Sequence, residues 1–222
     1  GNTMGLMGHV VACYPDRARS LAAAKGICAV ADFLEVQFPF SDPSADGPVI
    51  EAASYRAIDA GFTAEVGFDI VKELSGTTDA AIIIMTYANI VYNYGVERFV
   101  SRAAAAGAAA LIVPDLPVES DEGLLAAAHA AGIGVIQVAA PGAGAERIRL
   151  LAERTDGVLY VTARRGITTH QPLRGRLGIN PRDDAASPEP PGQKENQQAP
   201  SAAPSQNKLS TASASAAEVL GT

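Results

Sequence analysis

Short apolar runs alternate along the chain with longer, Ala-rich segments of helical period. The apolar runs cover residues 9–14, 33–38, 81–85, 109–113, 134–138 and 158–162. Between them the spacing predicts helices over 17–30, 49–60, 64–74, 96–106, 121–131 and 145–154. Gly107 and Gly132 stand just beyond two of these helices, where a left-handed residue closes the last turn. Each apolar run is continuous rather than alternating, which is the mark of a strand covered on both faces. Strand and helix in regular alternation imply parallel strands joined by right-handed helical crossovers. A β/α barrel and a doubly wound open sheet both satisfy that pattern. The turn after the first run reads Ala12-Cys13-Tyr14-Pro15-Asp16 and lacks the glycines of a dinucleotide-binding turn, which counts against the second.

The texture changes after His170. Residues 171–222 hold half of the fourteen prolines, many Ser, Ala and Gln, and almost no bulky apolar side chains. Such a segment cannot bury enough surface to offset its chain entropy. The expected organisation is therefore a folded domain over 1–170 and a disordered Pro/Ser/Ala/Gln-rich tail over 171–222. The whole chain has 222 residues, against about 250 for a typical eight-fold barrel, and six strand–helix units are recognisable rather than eight.

Charge narrows the chemistry. The net charge is -7, and acidic and basic residues balance beyond residue 170, so the excess acid lies in the folded part. An acidic domain without a Lys/Arg cluster argues against nucleic-acid binding. Cys13 and Cys28 share no metal or redox spacing and read as thiols in a reducing compartment. His9, His129 and His170 share no ligand spacing either, so no metal is assigned. No basic leader precedes an apolar run, and no stretch reaches the roughly 18 apolar residues of a membrane helix. A soluble, cytoplasmic protein without membrane contacts is expected.

The chemistry concentrates between residues 33 and 48. Glu35 lies inside an apolar strand, where an unpaired carboxylate is costly and tends to keep its proton at neutral pH. Asp42 and Asp46 follow in a loop stiffened by Pro39, Pro43 and Pro48. In a barrel the active site sits at the C-terminal ends of the strands, so a buried acid with a second, rigidly held carboxylate could act as proton donor and orienting group. The structural alternative is that Glu35 pairs with a buried base while Asp42 and Asp46 cap the turn and the next helix.

Glu35, then Pro39-Phe40-Ser41-Asp42-Pro43, two residues, and Asp46-Gly47-Pro48 resemble the signature of the tryptophan synthase alpha chain family. Met85, Thr86, Tyr87, Ala88 and Asn89, with Tyr92, Asn93 and Gly95, resemble the end of that family's third strand. Asp115, Pro117 and Glu119 resemble its Asp-x-Pro-x-Glu loop. Tyr160, followed by Ala163-Arg164-Arg165-Gly166-Ile167-Thr168, resembles its sixth strand and the loop beyond. The resemblance spans roughly residues 8–170. It implies a (β/α)8 barrel and a carbon–carbon lyase of tryptophan biosynthesis, which cleaves indole-3-glycerol phosphate to indole and glyceraldehyde 3-phosphate. It implies Glu35 as the catalytic acid/base and Asp46 as the carboxylate that binds the indole N–H. Tyr87, Met85 and Val113 would line the indole pocket, Tyr160 would stand beside the acid, and Thr168 would close over the site. Asp115 and Pro117 would lie near the interface with a beta subunit in an α2β2 complex, although Asp115 could equally cap a helix. No cofactor is implied for this chain. The family's pyridoxal phosphate belongs to the beta subunit.

The pattern is departed from in places. Cys13, Val30 and Gln37 stand where the family usually has Gly, and Thr169 also replaces a usual Gly. The Gly-rich phosphate-binding loops expected after strands seven and eight are not found, and an unclosed barrel would leave strand edges and helix faces uncovered. Three readings stay open at this point: a working lyase subunit, a non-catalytic module that binds the beta subunit, and an inactive truncated or frame-shifted relic.

Overall fold

In the computed structural model the described residues are 5–162. Thr168, the loop around Arg164 and Arg165, and the expected tail over 171–222 lie outside them. The elements are β1 (Met7–Val11), α1 (Arg17–Cys28), β2 (Phe33–Gln37), α2 (Pro48–Asp59), α3 (Ala64–Ser75), β3 (Ala81–Met85), α4 (Ala88–Tyr94), α5 (Val96–Ala105), β4 (Ala110–Ile112), α6 (Leu124–Ala131), β5 (Gly134–Val135), β6 (Val138–Ala139), α7 (Ala145–Arg154) and β7 (Tyr160–Val161).

The strands are all parallel, and β1 to β5 lie side by side in chain order. A doubly wound sheet reverses direction partway across. Here each crossover steps to the next strand in the same sense, as in the wall of a barrel. The fifth apolar run, expected as one strand, divides in two. Its first half, β5, pairs with β4, and its second half, β6, pairs with β7. The backbone is continuous between them: the Ile136 amide donates to Leu111 O at 2.8 Å, and Gln137 O accepts the Tyr160 amide at 3.0 Å. The run thus changes neighbours as the sheet curves. No closing strand beyond β7 lies among the described residues.

The continuous apolar runs conceal two chemically different faces. Leu34, Val36, Phe38, Ile82, Ile84 and Leu111 point outward and pack under the helices with Leu74, Phe99, Ala103 and Leu124. Phe38 sits at the centre of that layer, its ring edge-on to Phe62, Phe68 and Phe99 at centroid distances of 5.4, 5.4 and 6.1 Å. The other face gathers Ile83, Met85, Tyr87, Ala110, Ile112 and Ile136, flanked by Met7, Phe33, Phe40 and Val138. The register places Glu35 between His9 and Ile83, and Gln37 between Val11 and Met85. The two polar residues of β2 therefore share the inner face.

Local rules explain most boundaries. The Asp16 side chain accepts the Arg19 amide at 2.8 Å and caps α1, and Thr63 caps α3 through the Val66 amide. The first strand ends earlier than expected, at Val11, because Cys13 adopts a φ of 64°. That left-handed conformation is costless for the usual Gly and strained by roughly 1–3 kcal/mol for a side chain. The Cys13 amide is held there by Ser20 Oγ at 3.1 Å. Val30, at another usual Gly, has an ordinary φ and is exposed. The helix expected from 121 begins at Leu124, because Glu122 and Gly123 both have positive φ and Asp121 accepts the Gly123 and Leu125 amides ahead of it.

One element was not expected at all. Helix α4 starts at Ala88 with Tyr87 as a cap residue that makes no capping bond of its own. Its first amide, Ala88 N, instead donates to Asp115 Oδ1 at 2.9 Å, across from the loop after β4. Asp115 is thus a cap supplied from a neighbouring unit. Asp115→Ala should destabilise the fold by about 1 kcal/mol, read as a lowered urea midpoint at unchanged m value.

Candidate active site

The candidate site lies at the C-terminal ends of β2 and β3, on the inner face. Glu35 is delivered by β2 itself and is 8% exposed. Asp46 comes from the proline-stiffened loop that follows and is 6% exposed. Asp42, the other carboxylate of that loop, is exposed and accepts only its neighbour Ser41 Oγ at 2.6 Å. Of the two loop acids, one is turned in and the other faces solvent.

Asp46 is held from two sides. Gln37 Nε2 donates to Asp46 Oδ2 at 2.6 Å, and the Tyr87 hydroxyl also bonds the carboxylate. Tyr87 is fully buried, its hydroxyl accepts the Ala45 amide at 3.4 Å, and its ring lies 5.4 Å from that of Phe40. Phe40, Met85, Ile83, Ile112 and Tyr87 form an apolar wall next to the two carboxylates. His9, on β1, approaches from the other side. Its Nε2 is 2.8 Å from Gln37 Oε1 and 3.8 Å from Glu35 Oε1.

The electrostatics follow from burial. Loss of water pushes the Glu35 carboxyl above its ordinary range, His9 draws it back, and the nearby Asp46 pushes it up again. Burial also raises Asp46, opposed by its bonds from Tyr87 and Gln37. Burial and then the Glu35 carboxylate raise the Tyr160 phenol, which places Tyr160 within electrostatic reach of Glu35 from β7. Burial thus favours the protonated form of both carboxyls, and hydrogen bonds from Gln37 and Tyr87 offset it at Asp46. Those are the properties a proton donor and a cation-stabilising group require.

Of the residues expected at the site, Glu35, Asp46, Tyr87 and Met85 lie together on the inner face, and Tyr160 is within electrostatic reach of Glu35. Val113 is not among them: it packs in the helix-side layer and lines a small cavity with Asp115, Leu116 and Pro117. Thr168 lies outside the described residues. Two inner-face participants, His9 and Gln37, were missed. Their only sequence signal was a polar side chain two residues from Glu35 and another in the facing strand, which acquires meaning once the β1–β2 register is known. Among the described residues no three His, Cys, Asp or Glu side chains cluster as a metal site, and no helix is long and apolar enough to cross a membrane.

The sequence model of the tryptophan synthase alpha chain family matches residues 1–174. The tryptophan synthase alpha chain of Helicobacter hepaticus is 46% identical over 170 residues, covering 73% of this chain and 64% of that one. A tryptophan synthase complex from Pyrococcus furiosus superimposes with a TM-score of 0.68 at 34% identity, over 71% of this chain and 65% of its own. Tryptophan synthase from Mycobacterium tuberculosis gives a TM-score of 0.71 at 33% identity, over 74% and 64%. The chain thus spans just under two thirds of the length of these relatives.

Proposed function

The chain belongs to the tryptophan synthase alpha chain family, and from that premise we propose that it is a carbon–carbon lyase acting on indole-3-glycerol phosphate. The observation that carries this reading is the buried carboxylate pair, Glu35 and Asp46, set against an apolar wall at the strand ends. In the proposed step the protonated Glu35 delivers its proton to indole C3. Positive charge spreads to the ring nitrogen, whose N–H donates to the Asp46 carboxylate. The Glu35 carboxylate then takes the proton of the side-chain hydroxyl. The bond between C3 and the hydroxyl-bearing carbon breaks, its electron pair returns to the ring, and the oxygen becomes the aldehyde of glyceraldehyde 3-phosphate. One proton enters and one leaves, so Glu35 ends as it began. Asp46 stabilises charge that exists only during the reaction, which is where binding energy accelerates a step.

Within this reading Met85 and Tyr87 face the indole, and Tyr160 stands beside the acid. Thr168, which the family signature assigns to the site, lies outside the described residues, and Val113, packed on the helix side of the sheet, is left out of the assignment. The step draws on protein side chains alone. A beta subunit carrying pyridoxal phosphate is the proposed partner, with Asp115 and Pro117 on the facing loop, and the cytoplasm the proposed compartment. The test is indole release from indole-3-glycerol phosphate by the purified full chain, with and without a beta subunit. Turnover that the beta subunit stimulates is expected. A folded chain that releases no indole in either condition overturns the reading.

A further inference from the structure

We propose that Gln37 is a positioning residue for Asp46, oriented in turn by His9, and that these two side chains set which carboxylate of the pair carries the proton. The catalytic consequence depends on the lyase reading above, whereas the coupling itself does not. Gln37 is 1% exposed, and both ends of its amide are engaged: Nε2 with Asp46 Oδ2 at 2.6 Å and Oε1 with His9 Nε2 at 2.8 Å. An amide oxygen only accepts and an amide nitrogen only donates. An ionised Asp46 can only accept, so Nε2 must face it. Oε1 then faces His9, which must carry a proton on Nε2 to donate. Reversing the amide would set Oε1 against the carboxylate. The tautomer of His9, the orientation of Gln37 and the charge on Asp46 therefore form one linked set.

The same His9 nitrogen lies 3.8 Å from Glu35 Oε1, beyond hydrogen-bonding distance. With its proton committed to Gln37, His9 leaves Glu35 without a donor. The relay favours a charged Asp46 and a neutral Glu35, the division of labour that a proton donor and a cation stabiliser need. The other groups facing the pair do not produce this asymmetry alone. Glu51 from α2 disfavours charge on Asp46 and Tyr87 bonds it, while Asp46 disfavours charge on Glu35 and Tyr160 lies within electrostatic reach of Glu35 from β7. A glycine at position 37 would have no side chain to make either bond.

The experiment titrates the side-chain carboxyls of the full chain by carbon-13 NMR, in the native sequence, Gln37→Met and His9→Phe. It is paired with the pH profile of indole release. Gln37→Met removes the amide at nearly constant volume. Its Asp46 midpoint should move upward, because the donor that favours the charged form is gone. The acid limb of kcat/KM should move the same way, with kcat at neutral pH falling about tenfold and KM changing less. His9→Phe, at a half-exposed position, should act in the same direction and carries the test if Gln37→Met does not fold. An Asp46 midpoint unmoved in a folded variant overturns the relay. If the native chain releases no indole yet the midpoint moves, the lyase reading fails and the relay stands.

Discussion

Glu35→Gln is expected to lower indole release by about a thousandfold while the protein becomes no less stable at neutral pH. Gln has the shape of a protonated Glu but can neither give a proton to carbon nor take one from a hydroxyl, so both halves of the proposed step stop. Stability should move the other way. The folded state raises the Glu35 carboxyl above its ordinary value, so its native environment prefers the protonated form. For such a group the folded protein binds more protons than the unfolded chain between the two pKa values, and stability falls as pH rises through that window. Gln carries no charge at any pH and escapes the loss. The variant should therefore match or exceed the native protein in urea midpoint near neutral pH, with the advantage vanishing in acid. Loss of activity together with loss of fold would point instead to a structural role, and undiminished indole release would remove Glu35 from the chemistry.

Phe38→Ala should be the most damaging single change to the fold. The ring is wholly buried at the hub of an aromatic cluster with Phe62, Phe68 and Phe99. Its edge also fills the space beside Gly67, where an added Cβ would lie 2.6 Å from the ring. Truncating a buried Phe costs about 3–5 kcal/mol out of a total stability of about 5–15 kcal/mol. Phe38 directly follows Gln37 and precedes the loop that carries Asp46, so the site should loosen with the core. The check is thermal unfolding followed by circular dichroism. A melting temperature within a few degrees of the native value would show that neighbouring rings refill the space.

How much of this could be read in advance varied with the range of the interactions involved. The alternation of strands and helices was legible because apolar spacing, capping residues and glycines act over a few neighbours: α3 and β3 fall within a residue or two of their expected bounds. The chemistry of the 33–48 segment was legible too, since an acid inside an apolar strand is conspicuous wherever the strand ends up. What stayed hidden involved partners distant in the chain. Helix α4 begins where it does partly because Asp115, 27 residues away, caps it. The fifth apolar run divides because its first half pairs with β4 and its second half with β7.

The site divides along the same line. Residue identities along the chain already implied parallel β/α units, a buried acid at Glu35 and a second carboxylate held nearby, because those follow from period, burial cost and spacing. Periodicity alone left open a barrel wall or a doubly wound sheet, since it is the same in both and strand order is a property of non-local pairing; the turn without glycines after the first run and the family signature pointed to the barrel. Periodicity and burial cost could not choose between Asp42 and Asp46, which share one loop and one side-chain chemistry; only the family signature singled out Asp46. Nor could they set Val113 apart from Met85, or join His9 to Gln37 and Asp46. Those outcomes depend on which face each residue presents and on the parallel register of β1, β2 and β3, which place side chains 28 residues apart within a hydrogen bond of one another.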